Sequence, residues 1–210
     1  MQKIRVAIKN WKKQKTRIIA LAGPKKSGKD VFLNYIERHF GPIGHLRIAD
    51  APAKIAQVLE LPPERKILQA LFGVNAILRP VLGESAYVRR VGKILDRTRP
   101  RLAIVEAIRT KEEYEEFVVR RKGILVGIAA SPDIRYGRAL KDGKVRREKR
   151  DEATQTFKEF MDREKLPIEK EIAGIVNHAH FVLPNSHKQK NAFYQAIDAV
   201  MKDLGIKRKR

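Results

Sequence analysis

The chain has 210 residues, 43% of them hydrophobic, which suits one well-buried α/β domain and does not suit a disordered chain. No apolar run approaches the ~20 residues needed to span a bilayer. The first seventeen residues carry seven basic side chains without the apolar core of a secretory signal, and the chain has no cysteine for disulfides, thiolate metal sites or nucleophilic catalysis, so the expectation is a soluble, cytoplasmic protein. The formal charge of +22 draws anions, from small phosphates up to RNA or DNA, and by itself does not choose between them.

Taken in chain order, residues 1–15 read as a basic arm, either a short helix or irregular. Within it Trp11 either packs on the domain or stacks on a base. Residues 17–22 are a short buried strand. After them comes the loop Gly23-Pro24-Lys25-Lys26-Ser27-Gly28-Lys29-Asp30, and residues 31–40 have apolar side chains at helical spacing. Strand, glycine-bracketed loop and helix start are the context of a phosphate-binding loop. Glycines let backbone N–H groups turn toward an anion, the helix N-terminus adds its dipole, and Lys29 adds a point charge. The usual Ser or Thr after the lysine is here Asp30. That carboxylate is either a magnesium ligand or an acid at the helix N-terminus.

Residues 43–49 suit a second strand, and Asp50 caps a helix to about residue 59. Helices are predicted at 65–72 and 84–97, and a third strand at 101–107. Thr110 and Glu113 form a capping box for a helix to about residue 120. A fourth strand at 123–130 leads through Ser131-Pro132 into a helix. Two helices over 152–165 and 168–176, a fifth strand at 180–183 and a helix at 189–204 complete the chain. Strands alternating with helices predict a five-stranded parallel sheet covered on both faces. Ligands bind at the C-terminal strand ends of such sheets, where the loop, Asp50, Glu106, Arg109, Ser131 and Asn185 fall.

The order of motifs resembles the P-loop nucleoside and nucleotide monophosphate kinases. Ser27-Gly28-Lys29-Asp30 is similar to the loop variant of phage-type deoxynucleoside monophosphate kinases and animal-type phosphomevalonate kinase. Ile48-Ala49-Asp50-Ala51-Pro52-Ala53-Lys54 resembles the segment after the second strand in the former group. Ile104-Val105-Glu106-Ala107-Ile108-Arg109 resembles their third strand, with Glu106-Ala107 in place of the commoner Asp-Gly. Residues 129–135 and Phe181-Val182-Leu183-Pro184-Asn185 look like the lid and last strand of dephospho-coenzyme A kinase-like enzymes. The resemblance implies a P-loop three-layer sandwich over residues 16–205, a helical acceptor-binding insertion at about 50–99, a lid at about 135–150, and a separate basic tail at 206–210.

It further implies ATP and Mg²⁺ as cofactors and a phosphate-bearing small molecule as acceptor, with a nucleoside monophosphate first. Gly23, Pro24, Lys25, Lys26, Ser27, Gly28, Lys29, Asp30 and Asn185 would hold ATP, and Asp30 and Glu106 the metal. Glu106 could instead accept a substrate proton or be a solvated acid. Arg47, Asp50, Lys54 and Arg109 would hold the acceptor, with a surface ion pair as the other reading of Asp50 and Lys54. Residues 135–150 carry eight basic and two acidic side chains. From these, Lys29 aside, Arg138, Arg146 and Arg150 are the catalytic candidates, with Gly137 and Gly143 as hinges. The five histidines show no metal-ligand spacing. The alternatives are a dephospho-coenzyme A kinase-like activity, or a nucleotide-dependent P-loop protein that grips RNA or DNA through its basic ends. With the site between the ends, removal of residues 1–15 and 207–210 is expected to spare turnover.

Overall fold

Alternating apolar side chains give the central strand two buried faces, and the rest of the fold is built around it. A computed structural model describes residues 2–48, 50–62, 85–145, 153–186 and 190–209, together with 67, 70–71, 73–74, 77 and 80–81. The strands are β1 (Arg17–Ala22), β2 (Gly44–Arg47), β3 (Leu102–Ile108), β4 (Ile124–Ala129) and β5 (Phe181–Pro184). They form one parallel sheet in the order β2-β3-β1-β4-β5. The predicted five-stranded parallel sheet is therefore present.

Ile18, Ala20 and Ala22 of β1 point to one layer, and Ile19 and Leu21 to the other. The first layer holds α4 (Ala86–Thr98), α5 (Lys111–Tyr114) and α8 (Pro167–Asn177), with Val88, Val91, Leu95, Ile172 and Val176 in its core. The second holds α1 (Gln2–Lys12), α2 (Lys29–His39) and α9 (Lys190–Asp203), with Trp11, Phe32, Ile36, Phe193, Ile197 and Met201 in its core. The chain also forms helices α3 (Asp50–Val58), α6 (Pro132–Val145) and α7 (Phe157–Glu164). Among the described residues no helix is long and apolar enough to cross a membrane.

The first fifteen residues differ from a loose arm. Residues 2–12 are helix α1, and Trp11 is fully buried with its indole N–H donating to the Ile18 carbonyl at 2.7 Å. Of the two readings of Trp11, packing on the domain is the one realised. The other end is also docked. The Lys209 N–H donates to the His39 carbonyl at 2.8 Å and its Nζ to the Glu37 carbonyl at 2.7 Å, while Arg208 pairs with Asp198 at 2.6 Å. Lys209 thereby satisfies two carbonyls at the end of α2, one through its backbone N–H and one through its ammonium.

A uniform helix to residue 120 is not what forms. The Thr110–Glu113 capping box opens α5, and the chain then widens into a π-helix over Glu115–Arg120. Phe117, fully buried, lies on that wide turn, and its carbonyl accepts the Gly123 N–H at 3.0 Å. A Cβ on Gly123 would lie 2.2 Å from that carbonyl oxygen, so the entry to β4 demands glycine. Leu166 caps α8 with Pro167 at its first position, one residue earlier than predicted. The predicted helix at 65–72 falls mostly outside the described residues.

Candidate phosphate-binding site

The loop between β1 and α2 is held open by backbone conformations that its glycines permit. Gly28 has φ 110°, and a Cβ there would lie 2.1 Å from Asn185 Nδ2. A Cβ on Gly23 would lie 2.7 Å from both the Ile128 carbonyl oxygen and Ser27 Oγ. No side chain fits at either position without moving the loop. Lys26 completes the turn at φ 63°.

Lys29 lies in the first turn of α2 and folds back, donating to the carbonyls of Gly23 at 2.7 Å and Pro24 at 3.0 Å. Burial first, then the nearby Arg109 charge, lower its pKa to about 8 against the opposing charges of Glu106, Asp30 and Glu169. Ser27 is fully buried, and its Oγ has no hydrogen-bond partner among the described residues. An orphaned hydroxyl, a half-buried ammonium and a glycine-lined helix N-terminus together fit a phosphate group.

Asn185 and α6 close over the loop. Asn185 is buried and donates from Nδ2 to the Ser27 carbonyl at 2.7 Å. Arg138 donates from Nη1 to the carbonyls of Lys26 (3.1 Å) and Ser27 (3.3 Å). Its Nη2 reaches the Asn185 backbone oxygen at 2.9 Å and Oδ1 at 3.2 Å. Asp142 of α6 pairs with Lys26. Of the three lid candidates Arg138 reaches the loop, whereas Arg146 and Arg150 lie outside the described residues. Gly137 and Gly143 both lie within α6.

Across the sheet, the end of β3 carries the acidic side of the site. Glu106 Oε2 accepts from Arg47 Nε at 2.6 Å and lies 3.0 Å from His45 Nε2. Burial works against its charge, but His45 and Arg47 outweigh it and hold the carboxyl below the usual range. Arg47 is thus tied to Glu106. Ala107, next in sequence, is the extra residue of a bulge opposite β1 and has φ 65°. Arg109 is exposed, its backbone N–H donating to Glu113 Oε2 at 2.5 Å. Asp50 and Lys54 are exposed on α3, and no ion pair joins them.

Three further residues bear on the site and were not singled out from sequence as binding groups. Arg135, 4% exposed, donates to the Ala130 carbonyl (3.0 Å), the Lys25 carbonyl (3.4 Å) and Glu164 Oε2 (2.5 Å). It was legible only as one of eight bases in a run. Glu113, read as a cap, is buried, and burial raises its pKa to about 7 even though it accepts two backbone N–H bonds. Glu169, two residues after Pro167, has a buried Oε2 without a hydrogen-bond partner among the described residues. Burial, and then Glu164, raise its pKa, while Arg109, Lys29 and Arg135 pull it down. No local signal marks Glu169, because its site neighbours come from four other segments.

Among the described residues no group of three or more His, Asp or Glu side chains forms a metal cage. Mg²⁺ at nucleotide sites takes one or two carboxylates and completes its shell with water and phosphate. Asp30 and Glu106, whose charges both act on Lys29, would supply that number of carboxylates.

No family model matches the chain. The UPF0200 protein PH1008 of Pyrococcus horikoshii is 26% identical over 194 residues, covering 89% of this chain and 97% of that protein. Shikimate kinase from Bacteroides thetaiotaomicron superposes with a TM-score of 0.53 at 13% identity, covering 90% of this chain and 99% of that one. Dephospho-CoA kinase from Campylobacter jejuni gives a TM-score of 0.50 at 15% identity, covering 90% and 97%. Likeness at these identities speaks to architecture. With its five-stranded parallel sheet and its glycine-bracketed loop between β1 and α2, the chain has the fold of the P-loop kinases.

Proposed function

We propose that the protein is an ATP-dependent phosphotransferase whose acceptor is a phosphate-bearing small molecule, in the first place a nucleoside monophosphate. The observation that carries this reading is the environment of Lys29: a half-buried ammonium at the end of a glycine-bracketed loop, within electrostatic reach of Glu106 and Arg109 from the end of β3 and of Glu169 from α8. Gly23, Pro24, Lys25, Lys26, Ser27, Gly28 and Asn185 would cradle the ATP phosphates. Lys29 would leave the Gly23 and Pro24 carbonyls to bridge the β- and γ-phosphates. Asp30 and the free Oε1 side of Glu106 would hold Mg²⁺, which when bound neutralises charge on the transferred group.

On the acceptor side, Arg109 would grip the acceptor phosphate bidentately, with Arg47, Asp50 and Lys54 at the rim of the same pocket. Glu169 would present its unpartnered Oε2 as an acceptor for a substrate hydroxyl. Arg138 would exchange a loop carbonyl for a phosphate oxygen as charge develops, assisted by Arg146 or Arg150 from the lid. The chemistry is positioning plus charge neutralisation, with no covalent enzyme intermediate.

The test is ADP release measured over a panel of nucleoside monophosphates, dephospho-coenzyme A and shikimate. Dephospho-coenzyme A and shikimate belong in the panel because the structural neighbours are kinases named for them. Acceptor-dependent ADP release with one phosphate-bearing compound supports the reading. Release that no compound on the panel accelerates contradicts it.

A further inference from the structure

At the end of the sheet opposite the loop, three neighbouring strands begin beside exposed cations. Lys15 precedes β1, Arg101 precedes β3 and Lys122 precedes β4. These strands lie side by side in the sheet, about 5 Å apart at each step. The Arg17 N–H donates to the Arg101 carbonyl at 3.1 Å, which fixes two of the leaders against each other. Helix α1 lies beside this edge, anchored by Trp11, and adds the exposed Lys9, Lys12 and Lys13. A Cβ on Gly205 would lie 3.2 Å from Lys12 Nζ, so the chain's C-terminal segment joins the same surface.

Two features separate this surface from an ordinary solvated charge run. None of these six cations makes an ion pair among the described residues, and the sequence has no acidic residue before Asp30. Several basic side chains elsewhere are paired, as in Arg121 with Asp96 and Glu116, Arg135 with Glu164, and Arg208 with Asp198. The cations are also held on fixed backbone. The apolar side of α1 is already packed on the domain, with Trp11 buried and Ala7 and Ile8 partly buried against the core. That leaves little to insert into lipid, so the surface suits a partner recognised by charge alone.

We propose that the N-terminal edge of the sheet, flanked by α1, binds the phosphodiester backbone of a nucleic acid without reading its sequence. Duplex backbones carry a negative charge about every 1.7 Å along the axis. Six fixed cations would release counterions on binding, giving a log–log salt slope of about −5 on duplex and about −4 on a single strand. The surface lies at the far end of the strands from Lys29, so this inference does not depend on the phosphotransfer reading.

The experiment is fluorescence anisotropy of the full chain with labelled 30-mer duplex DNA and single-stranded RNA at 50 and 200 mM salt. Two variants are compared: Lys12, Lys13, Lys15 and Lys122 to Gln, and a charge-matched control with Lys144, Lys158, Lys165 and Lys170 to Gln. Wild type should lose about 10³-fold in duplex affinity between the two salts, and the first variant should flatten the slope by about 3 to 4 while the control keeps it. Circular dichroism and thermal unfolding verify that both variants are folded. Equal slopes for the two variants, or no salt-dependent binding by wild type, overturn the proposal. Tighter binding to vesicles of 30% phosphatidylserine than to either nucleic acid, at equal phosphate, also overturns it.

Discussion

Arg138 and Asn185 meet over the phosphate-binding loop, the guanidinium donating to both the backbone oxygen and Oδ1 of Asn185 at 2.9 and 3.2 Å. Both side chains also bond the Ser27 carbonyl, so α6 and the exit of β5 hold the loop as one unit. Groups sharing a partner in this way act non-additively. Arg138→Ala and Asn185→Ala should each weaken MgATP binding, and the double variant should lose less than the sum, with a coupling of about 0.5–3 kcal/mol. A calorimetric double-mutant cycle gives the number, and strict additivity would mean that the two residues serve the loop independently.

Trp11 ties the start of the chain to the core, so the first fifteen residues are not dispensable. Trp11→Ala should cost about 3–5 kcal/mol through the lost burial and the cavity left behind. Removal of residues 1–15 should likewise lower the unfolding temperature and take turnover with it, contrary to what the sequence suggests. A truncated protein with wild-type stability would show that the burial of Trp11 is incidental.

The pH dependence of stability should carry the mark of Glu113. Its folded pKa of about 7 lies above the ordinary glutamate value of 4.5, so the folded state favours the protonated form. Relative to an unperturbed acid its contribution is whole below 4.5 and lost as pH rises through 7. At about 1.4 kcal/mol per pH unit, the loss approaches 3 kcal/mol by pH 8. Glu113→Gln should remove most of this decline while keeping an acceptor for the Arg109 and Thr110 amides. Denaturant titrations of both proteins at pH 4.5 and 8 test it, and parallel pH profiles would exclude Glu113 as the source.

Ala107 occupies the left-handed region at φ 65° in the bulge beside Glu106. Glycine adopts that conformation without the Cβ penalty, which is about 1 kcal/mol. Ala107→Gly should therefore stabilise the protein by about that amount. A destabilised variant would mean that the methyl group packs usefully at the strand end.

How much of this was legible in the residues follows from how local each signal is. The strand-loop-helix unit at 17–39, the capping box at Thr110 and the continuous apolar run of β1 are short-range patterns, and the structure has all three. The parallel order followed from strands alternating with helices. What was hidden depends on distant partners. Arg47 looked like a free phosphate ligand until β2 set it against Glu106 of β3. Arg135 was one base in a run until Lys25 and Glu164 surrounded it, and Glu169 has no sequence neighbour that hints at Lys29. The π-helix at 115–120 also escaped, because its cause is the burial of Phe117 and the turn at Gly123 rather than a periodic pattern.

Lys29→Met is the most direct measurement of the central claim. The folded pKa of Lys29, about 8, lies below the ordinary lysine value of 10.5, so at pH 7 the fold carries a charge that it disfavours, and the penalty is relieved only as pH rises through 8 toward 10.5. Methionine removes that charge. The variant should therefore unfold at the same temperature as wild type or higher, with a gain of up to about 3 kcal/mol at pH 7, while MgATP binding by calorimetry and acceptor-dependent ADP release nearly vanish. A folded Lys29→Met protein that binds and turns over ATP at the wild-type level would contradict the phosphotransferase account outright.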